Sequence, residues 1–146
     1  MNGNSFPESN SPGGMREKWG GGVLDAGWTG VPNALLKYAG PLRLDPTETL
    51  TLIYLMRFWW KTDELPYPSI SKTSLEMGVS RKTMTKKFAS LREKGYIDVV
   101  KQGGKTKFSL DGLKKALAEQ HKKRHDVPKI KKAITEEGDD LVDYYD

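Results

Sequence analysis

Hydrophobic residues recur at helical spacing in the middle of the chain, and the pattern there predicts one central helix. Asp45 is a suitable N-cap, Pro46 fits the first helical position, and Glu48 stands three residues after the cap. The helix is expected to run to about Trp60, with Leu50 widening its apolar face. That face is formed by residues at positions i, i+3, i+4 and i+7, namely Leu52, Leu55, Met56 and Trp59. A helix with an apolar face of this width should be buried on most sides.

Two further helices are predicted to follow, joined by a tight turn at Gly78. After two prolines, Ser69 or Ser71 caps a short helix that ends just before the glycine. Ser80 then caps a longer helix over 81–94. The apolar stripe of this longer helix consists of Met84, Phe88 and Leu91. The stripe predicts that the helix packs with one face on the core.

The periodicity then changes from that of a helix to that of strands. Strand character over 96–100 is followed by a glycine-rich turn over 102–105 and a return strand over 106–110. Two adjacent glycines accept the positive φ angles of a hairpin turn, so the two strands should pair with each other. Asp111 is expected to cap a last helix that runs to about His125. One side of that helix carries Leu113, Ala116 and Leu117.

Composition divides the 146 residues of the chain into three parts. Residues 1–25 are rich in Gly, Ser, Pro and Asn and offer little to bury, so we expect a disordered tail there. Residues 26–125 hold the predicted elements, including a short helix over 31–36, and should form one domain. Residues 126–146 begin basic and end acidic, which is typical of a solvated, flexible tail.

The order of the elements predicts a mainly α-helical fold with a small β-hairpin, in the α+β class. Two helices joined by a short turn containing glycine make a helix-turn-helix, and a hairpin directly after them makes the winged variety. Gly-Val-Ser at 78–80, Ser-Arg-x-Thr at 80–83 and Leu-x-x-x-Gly-x-Ile at 91–97 resemble the motifs of the winged helix-turn-helix DNA-binding family. This resemblance covers about residues 66–110. Residues 27–48 are similar, more loosely, to the lead-in of phage and plasmid replication-initiator winged helices.

Positive charge is concentrated in the part of the chain that carries this resemblance. The net charge of the whole chain is only +5. Residues 69–107, by contrast, contain ten Lys or Arg and three Asp or Glu, a difference of +7. A local excess of this size favours a polyanionic partner, and the resemblance implies that the partner is double-stranded DNA.

The helix over 80–94 is expected to present a cationic face. At about 100° per residue, Lys82 and Lys86 lie nearly opposite the apolar stripe, although solvation of an exposed face is the alternative interpretation. The resemblance implies that this helix enters the major groove and that the wing over 97–110 contacts the backbone or the minor groove. The start of the preceding helix suits phosphate contact. The candidate DNA-binding residues are Ser69, Ser71, Lys72, Ser80, Arg81, Lys82, Thr83, Thr85, Lys86, Lys87, Lys105 and Lys107.

Several other classes of function find no support in the sequence. The chain has no cysteine, which excludes disulfides, thiol nucleophiles and Cys-based metal sites. Its longest apolar stretch, 50–60, is interrupted by polar residues and is too short to span a membrane. We find no nucleophile–base pattern or paired carboxylates typical of an enzyme, so we expect no enzymatic activity. His121 and His125 lie among cations, and Gly-Gly-Lys-Thr at 103–106 lacks the rest of a phosphate-binding loop, so no metal or other cofactor is expected.

A small transcriptional regulator is the favoured function. We expect a homodimer through the helix over 111–125, because one recognition helix reads only a few base pairs, although that helix could equally pack on its own domain. The first alternative is a replication-initiation or maintenance protein of a phage, plasmid or other mobile element, which would have a replication or regulatory protein as a further partner. The second alternative is a winged-helix protein-interaction module. The expected location is the cytoplasm, at the nucleoid if the source is bacterial.

Overall fold

The computed structural model describes residues 14–126 of the chain. The predictions made for residues 1–13 and 127–146 lie outside the described residues. Two short helices open the described part, α1 (Gly14–Trp19) and α2 (Gly21–Leu24), and neither contains a buried residue. The structure is therefore helical within a segment for which we expected no ordered structure. Both helices are short, and neither contributes a buried side chain to the core.

The central helix, α4, spans Pro46–Arg57 and is preceded by α3 (Asn33–Tyr38). The predicted start of α4 is confirmed in detail. The Asp45 carboxylate accepts a hydrogen bond from the Glu48 backbone N–H at 2.7 Å, and the Glu48 carboxylate accepts one from the Asp45 N–H at 3.0 Å. The helix ends before the expected Trp60, and its end is tightened: the N–H groups of Phe58 and Trp59 bond to the carbonyls three residues earlier, Leu55 and Met56, both at 3.1 Å.

The buried face of α4 is centred on Leu52 and Leu55, which have no exposed surface. Leu50, which we expected to widen this face, is instead 49% exposed. It lies about 160° from Leu52 around the helix axis, so the helix cannot bury both residues on one face. Thr51 is buried instead, and its hydroxyl is satisfied by donating to the Thr47 carbonyl at 2.7 Å.

The next two helices, α5 (Ile70–Met77) and α6 (Arg81–Glu93), follow the predicted pattern closely. Ser69 and Ser80 are their N-caps. Gly78 ends α5 in the left-handed conformation, with φ 70° and ψ 30°, which a residue with a side chain adopts only at a cost. The predicted apolar stripe of α6 is confirmed by its buried residues, Met84, Phe88 and Leu91.

The hairpin consists of β1 (Asp98–Gln102) and β2 (Lys105–Ser109), paired antiparallel in a two-stranded sheet. The glycines at 103–104 connect the strands with φ angles of 61° and 75°, which confirms the predicted turn. The first strand begins later than expected, because the Tyr96 N–H still bonds to the Leu91 carbonyl at 3.0 Å and closes the end of α6.

The core lies between α3, α4, α6, the hairpin and the last helix, α7 (Asp111–Asp126). Phe88 of α6 packs on Phe108 of β2, with their ring centroids 4.9 Å apart, so the hairpin is anchored to the back of α6. The core residues are Leu35, Tyr38, Leu42, Leu44, Leu52, Leu55, Met84, Phe88, Leu91, Ile97, Phe108, Leu110, Leu113 and Leu117.

The last helix packs on its own domain. Leu113 and Leu117 are buried in the core, and the Tyr38 hydroxyl hydrogen-bonds to His121 Nδ1 at 2.8 Å. Gly112 permits the close approach at the start of the helix, because a Cβ there would lie 1.8 Å from the Gly95 carbonyl oxygen. The apolar face on which the predicted dimer depends is thus used inside one chain.

A buried carboxylate ties the start of α4 to α6. Glu48 is 2% exposed, and its two oxygens each accept from the Lys94 ammonium at 2.9 Å. The Ser90 hydroxyl donates to Glu48 Oε2 at 2.8 Å. Burial by itself raises the pKa of Glu48, but these bonds and the one from the Asp45 backbone N–H together hold the pKa below its ordinary value. The native structure therefore stabilises the charged form.

Replacing the Glu48 carboxylate by an amide should destabilise the domain. Glu48→Gln removes the charge that pairs with Lys94, so we expect the free energy of unfolding, measured by urea titration at neutral pH, to fall by about 2 kcal/mol. The pKa of Glu48 is lower in the folded than in the unfolded chain. The contribution of Glu48 to the free energy of unfolding is therefore complete at pH values above its unfolded pKa, near 4.5, and is lost as the pH falls through its folded pKa. The difference between the two proteins should therefore narrow in acid.

Glu93→Gln is the matched control, since Glu93 is exposed at the end of α6. This control should change the free energy of unfolding by less than about 0.5 kcal/mol. Equal losses in the two variants, or a Glu48→Gln effect that does not depend on pH, would contradict the role assigned to the buried carboxylate.

Candidate nucleic-acid interface

The turn between α5 and α6 sets the position of α6. The Gly78 N–H bonds to the Leu75 carbonyl at 3.3 Å, and the Val79 N–H bonds to the Ser74 carbonyl at 3.1 Å. Thr73 and Ser74, two small residues of α5, are buried. α5 and α6 also pack on each other, so the turn and this helix contact together set the direction of α6.

α6 presents a cationic face to the solvent. Lys82 and Lys86 are exposed on the side away from the buried stripe, and Arg81 and Thr85 are exposed beside them. In the part of the chain that the structure describes, neither lysine forms an ion pair with a carboxylate. The Thr85 hydroxyl donates to the Arg81 carbonyl at 2.9 Å. The structure thus brings four of the predicted residues together on one exposed surface.

Two other predicted residues, Ser69 and Ser80, have hydroxyl groups that cap helices. Ser69 Oγ accepts from the Lys72 N–H at 3.0 Å at the start of α5. Ser80 Oγ accepts from the Thr83 N–H at 3.0 Å and donates to Thr83 Oγ1 at 2.9 Å at the start of α6. Ser71 and Lys72 remain exposed at the start of α5. The capping hydroxyls fix the two helix ends that flank the exposed side chains.

Lys87 is separated from the cationic face. Its side chain is 28% exposed, and its ammonium donates to Asp45 Oδ2, 2.6 Å away. The hydrogen bond to Asp45 raises the pKa of Lys87. Although Lys87 follows Lys86 in the sequence, a step of about 100° around the helix turns its side chain toward α4. This bond gives Lys87 a structural role in the contact between α4 and α6.

The wing contributes two predicted lysines, and beside the wing lies a tyrosine, Tyr67, that sequence reasoning missed. The ammonium groups of Lys105 and Lys107 lie 4.5 and 5.4 Å from the centroid of the Tyr67 ring. Tyr67 is 53% exposed and lies beside β2, because the Phe108 N–H donates to the Pro66 carbonyl at 2.9 Å. The sequence signal that could have found it is the pair of flanking prolines, which keep the segment extended.

Other kinds of site find no support among residues 14–126. No group of three or more His, Cys, Asp or Glu side chains in that range could hold a metal ion. No helix in the described part of the chain is long and apolar enough to cross a membrane. The surface formed by α5, α6 and the wing, which carries the exposed cations Lys72, Lys82, Lys86 and Lys105, is the candidate functional site.

Residues 42–97 match the profile of a protein family described as "Helix-turn-helix domain". This segment has the fold of a helix-turn-helix domain. The match includes α4, α5 and α6 and ends just before β1, so the whole helix-turn-helix of the structure lies inside it. With the hairpin directly after α6, the domain has the predicted winged fold, mainly α-helical with a two-stranded antiparallel sheet.

Among solved structures, the helix-turn-helix domain and its flanking elements are similar to the N-terminal domain of the DnaD protein from Geobacillus kaustophilus HTA426. The TM-score is 0.58 at 23% sequence identity, and the similarity covers 77% of this chain and 96% of that chain. At this identity the likeness concerns the fold. A search of curated proteins finds no match to the chain.

Lys87→Ala should lower the melting temperature of the helix-turn-helix domain more than Lys86→Ala does. The first substitution removes the partner of Asp45 and a partly buried stem at the contact between α4 and α6, whereas Lys86 is exposed. Thermal unfolding followed by circular dichroism gives the melting temperature of both variants, which carry the same substitution at adjacent positions. An equal or larger loss of stability in Lys86→Ala would contradict the placement of Lys87.

Proposed function

We propose that the helix-turn-helix domain binds double-stranded DNA, with α6 in the major groove. The observation that carries the proposal is that α6 buries its apolar stripe in the core and leaves Lys82 and Lys86 exposed on the other side. A helix held in this way can present its cationic face as one rigid surface. The major groove is about 12 Å wide, which is enough to admit an α-helix.

The N-terminal half of α6 supplies the contacts to bases and phosphates. Lysine and arginine donors suit the acceptors of guanine and of phosphate, and a threonine suits a phosphate or the methyl group of thymine. Ser71 and Lys72, exposed at the start of α5, contact the backbone of the same duplex. Ser69, Ser80 and Thr83 contribute by holding the helix ends in place. The contacting side chains of α6 are Arg81, Lys82, Thr85 and Lys86.

The wing extends the contact beyond the groove that α6 occupies. Lys105 and Lys107 of β2 reach the phosphate backbone or the minor groove. With about five phosphates neutralised, the logarithm of the binding constant falls against the logarithm of the salt concentration with a slope near −4.5. Most of the affinity is then electrostatic, and the bases are read through α6.

A small transcriptional regulator is the function that we favour for this arrangement. Such a protein acts without catalysis, by occupying an operator, and works in the cytoplasm, at the nucleoid if the source is bacterial. A dimer that reads two half-sites has a higher specificity than a monomer. Because Leu113 and Leu117 are buried within one chain, a dimer formed through residues 111–125 would use the polar face of α7.

A replication-initiation or maintenance protein is the second candidate. The observation that favours it is the likeness of fold to the N-terminal domain of DnaD. In this role the domain would bind repeated sites at an origin and would have a second protein as its partner. The same cationic face of α6 would serve either function.

The double variant Lys82→Ala with Lys86→Ala tests the assignment of α6. We expect duplex affinity, measured by fluorescence anisotropy, to fall, and the salt slope to become less negative by about 2, because two phosphate contacts are lost. The fold should be retained, as judged by circular dichroism, since both side chains are exposed.

Lys122→Ala with Lys123→Ala is the matched control, because it removes the same charge from exposed positions on α7. The control should keep most of the affinity and of the salt slope. If the α6 variant binds the duplex as tightly as the unchanged protein, the recognition helix has been assigned wrongly. Absence of salt-dependent duplex binding in the unchanged protein would instead favour a protein-interaction module.

Footprinting on DNA from the neighbourhood of the gene separates the two candidate functions. Protected sites that overlap promoters are expected for a regulator. Protection of several repeats at an origin would contradict the regulator and favour replication or maintenance. Both results are read from the same experiment with the same protein.

A further inference from the structure

An open groove separates the wing from the segment that leads into α5. It has a volume of about 440 Å³. Its lining includes one cation, and no carboxylate contributes to it among the described residues. Tyr67, Pro68 and Ile70 line one side, and Lys105, Thr106 and Phe108 line the other. The groove is thus lined mainly by apolar and uncharged side chains, with Lys105 as its one cation.

Tyr67 and Lys105 line the groove, and Lys107 approaches the same Tyr67 ring from β2. We call Tyr67, Lys105 and Lys107 the wing cluster. Lys105 and Lys107 are two positions apart on β2, so their side chains leave the sheet on the same side. Both ammonium groups lie close to the same ring, at 4.5 and 5.4 Å from its centroid. Neither lysine forms an ion pair within the part of the chain described by the structure.

This arrangement brings like charges together without a local counter-ion. The face of an aromatic ring attracts cations, and this attraction orients both lysines, but it does not neutralise them. A phosphate oxygen would accept hydrogen bonds from the ammonium groups and would remove the repulsion between them. The exposed part of the Tyr67 ring would meanwhile offer an apolar surface to a neighbouring sugar.

We propose that the wing cluster binds one sugar–phosphate unit of the DNA backbone, and that Tyr67 is the residue that positions Lys105 and Lys107 for it. The inference rests on the proposed function, which it deepens by adding a residue outside the helix-turn-helix motifs. The groove gives the backbone a place to lie between the wing and the start of α5. The bound strand belongs to the duplex that α6 contacts.

The geometry favours duplex over single-stranded DNA. Proteins that bind single strands stack successive bases on several aromatic side chains. The wing cluster has one exposed aromatic ring, and lysine ammonium groups lie close to it. A backbone contact uses all three side chains as they stand, whereas base stacking would displace the lysines.

Tyr67→Ala and Tyr67→Phe test the positioning role, with a labelled mixed-sequence duplex as the probe. Tyr67→Ala removes no charge, yet we expect duplex affinity to fall about three- to tenfold and the salt slope to become less negative by about 1, because the lysines lose their alignment. Tyr67→Phe keeps the ring face and should bind within about twofold of the unchanged protein. A normal melting temperature shows that each variant is folded.

A double-mutant cycle gives the sharper result. In a protein that already carries Lys105→Ala and Lys107→Ala, adding Tyr67→Ala should change the affinity by less than about twofold, since no lysine remains to be positioned. If the same three- to tenfold loss appears in that background, Tyr67 acts independently and the positioning role is wrong. Tyr67→Ala with normal affinity, or Tyr67→Phe as weak as Tyr67→Ala, would also overturn it.

The remaining outcomes separate this inference from the function on which it rests. Duplex binding that depends on Lys82 and Lys86 but not on Tyr67 leaves the proposed function intact and refutes the wing cluster. Duplex binding that depends on none of Lys82, Lys86 and Tyr67 refutes both the proposed function of α6 and the role of the wing cluster. A larger effect of Tyr67→Ala on a single-stranded oligonucleotide than on the duplex would overturn the backbone contact in favour of base stacking.

Discussion

The carboxylate of Glu48 is buried at the start of α4, where a charge is stable only if its oxygens are well hydrogen-bonded. α6 supplies most of the partners, through the Lys94 ammonium and the Ser90 hydroxyl, and the Asp45 N–H completes the set. A different tilt or rotation of α6 would break at least one of these bonds and leave a buried charge without a partner. The orientation of α6, and with it the surface that α6 exposes, therefore depends on this one group.

A second ion pair, between Asp45 and Lys87, also joins the start of α4 to α6, two turns before Lys94. Asp45 caps α4 with one carboxylate oxygen and accepts from Lys87 with the other. Between the two attachments, Phe88 packs on Phe108 and links the same helix to the wing. With these sides of α6 occupied by α4 and the hairpin, the side that carries Lys82 is the one left for a ligand. The fold thus leaves exposed the face of α6 for which we propose contact with DNA.

Features decided by near neighbours in the sequence are the ones that could be predicted. The capping box over 45–48, the left-handed Gly78 and the paired glycines at 103–104 each depend on residues a few positions apart. Gly112 was not predicted, because its constraint is the Gly95 carbonyl, which approaches only when α7 docks. Hydrophobic periodicity gave the helices but not the exposure of Leu50, since periodicity does not say which side of a broad apolar face meets the core.

The same distinction applies to the candidate site. The excess of +7 over residues 69–107 is counted along the chain, whereas a ligand responds to charges in space. Two lysines of that segment, Lys87 and Lys94, are bonded to carboxylates of α4 and its cap, which lie outside it. The other eight lysines and arginines of the segment form no ion pair with a carboxylate in the described part of the chain, and all of them except Lys72 lie on α6 or the hairpin. Folding therefore lowers the effective charge of the segment, but it also sharpens its location, and location is what a groove in DNA can recognise.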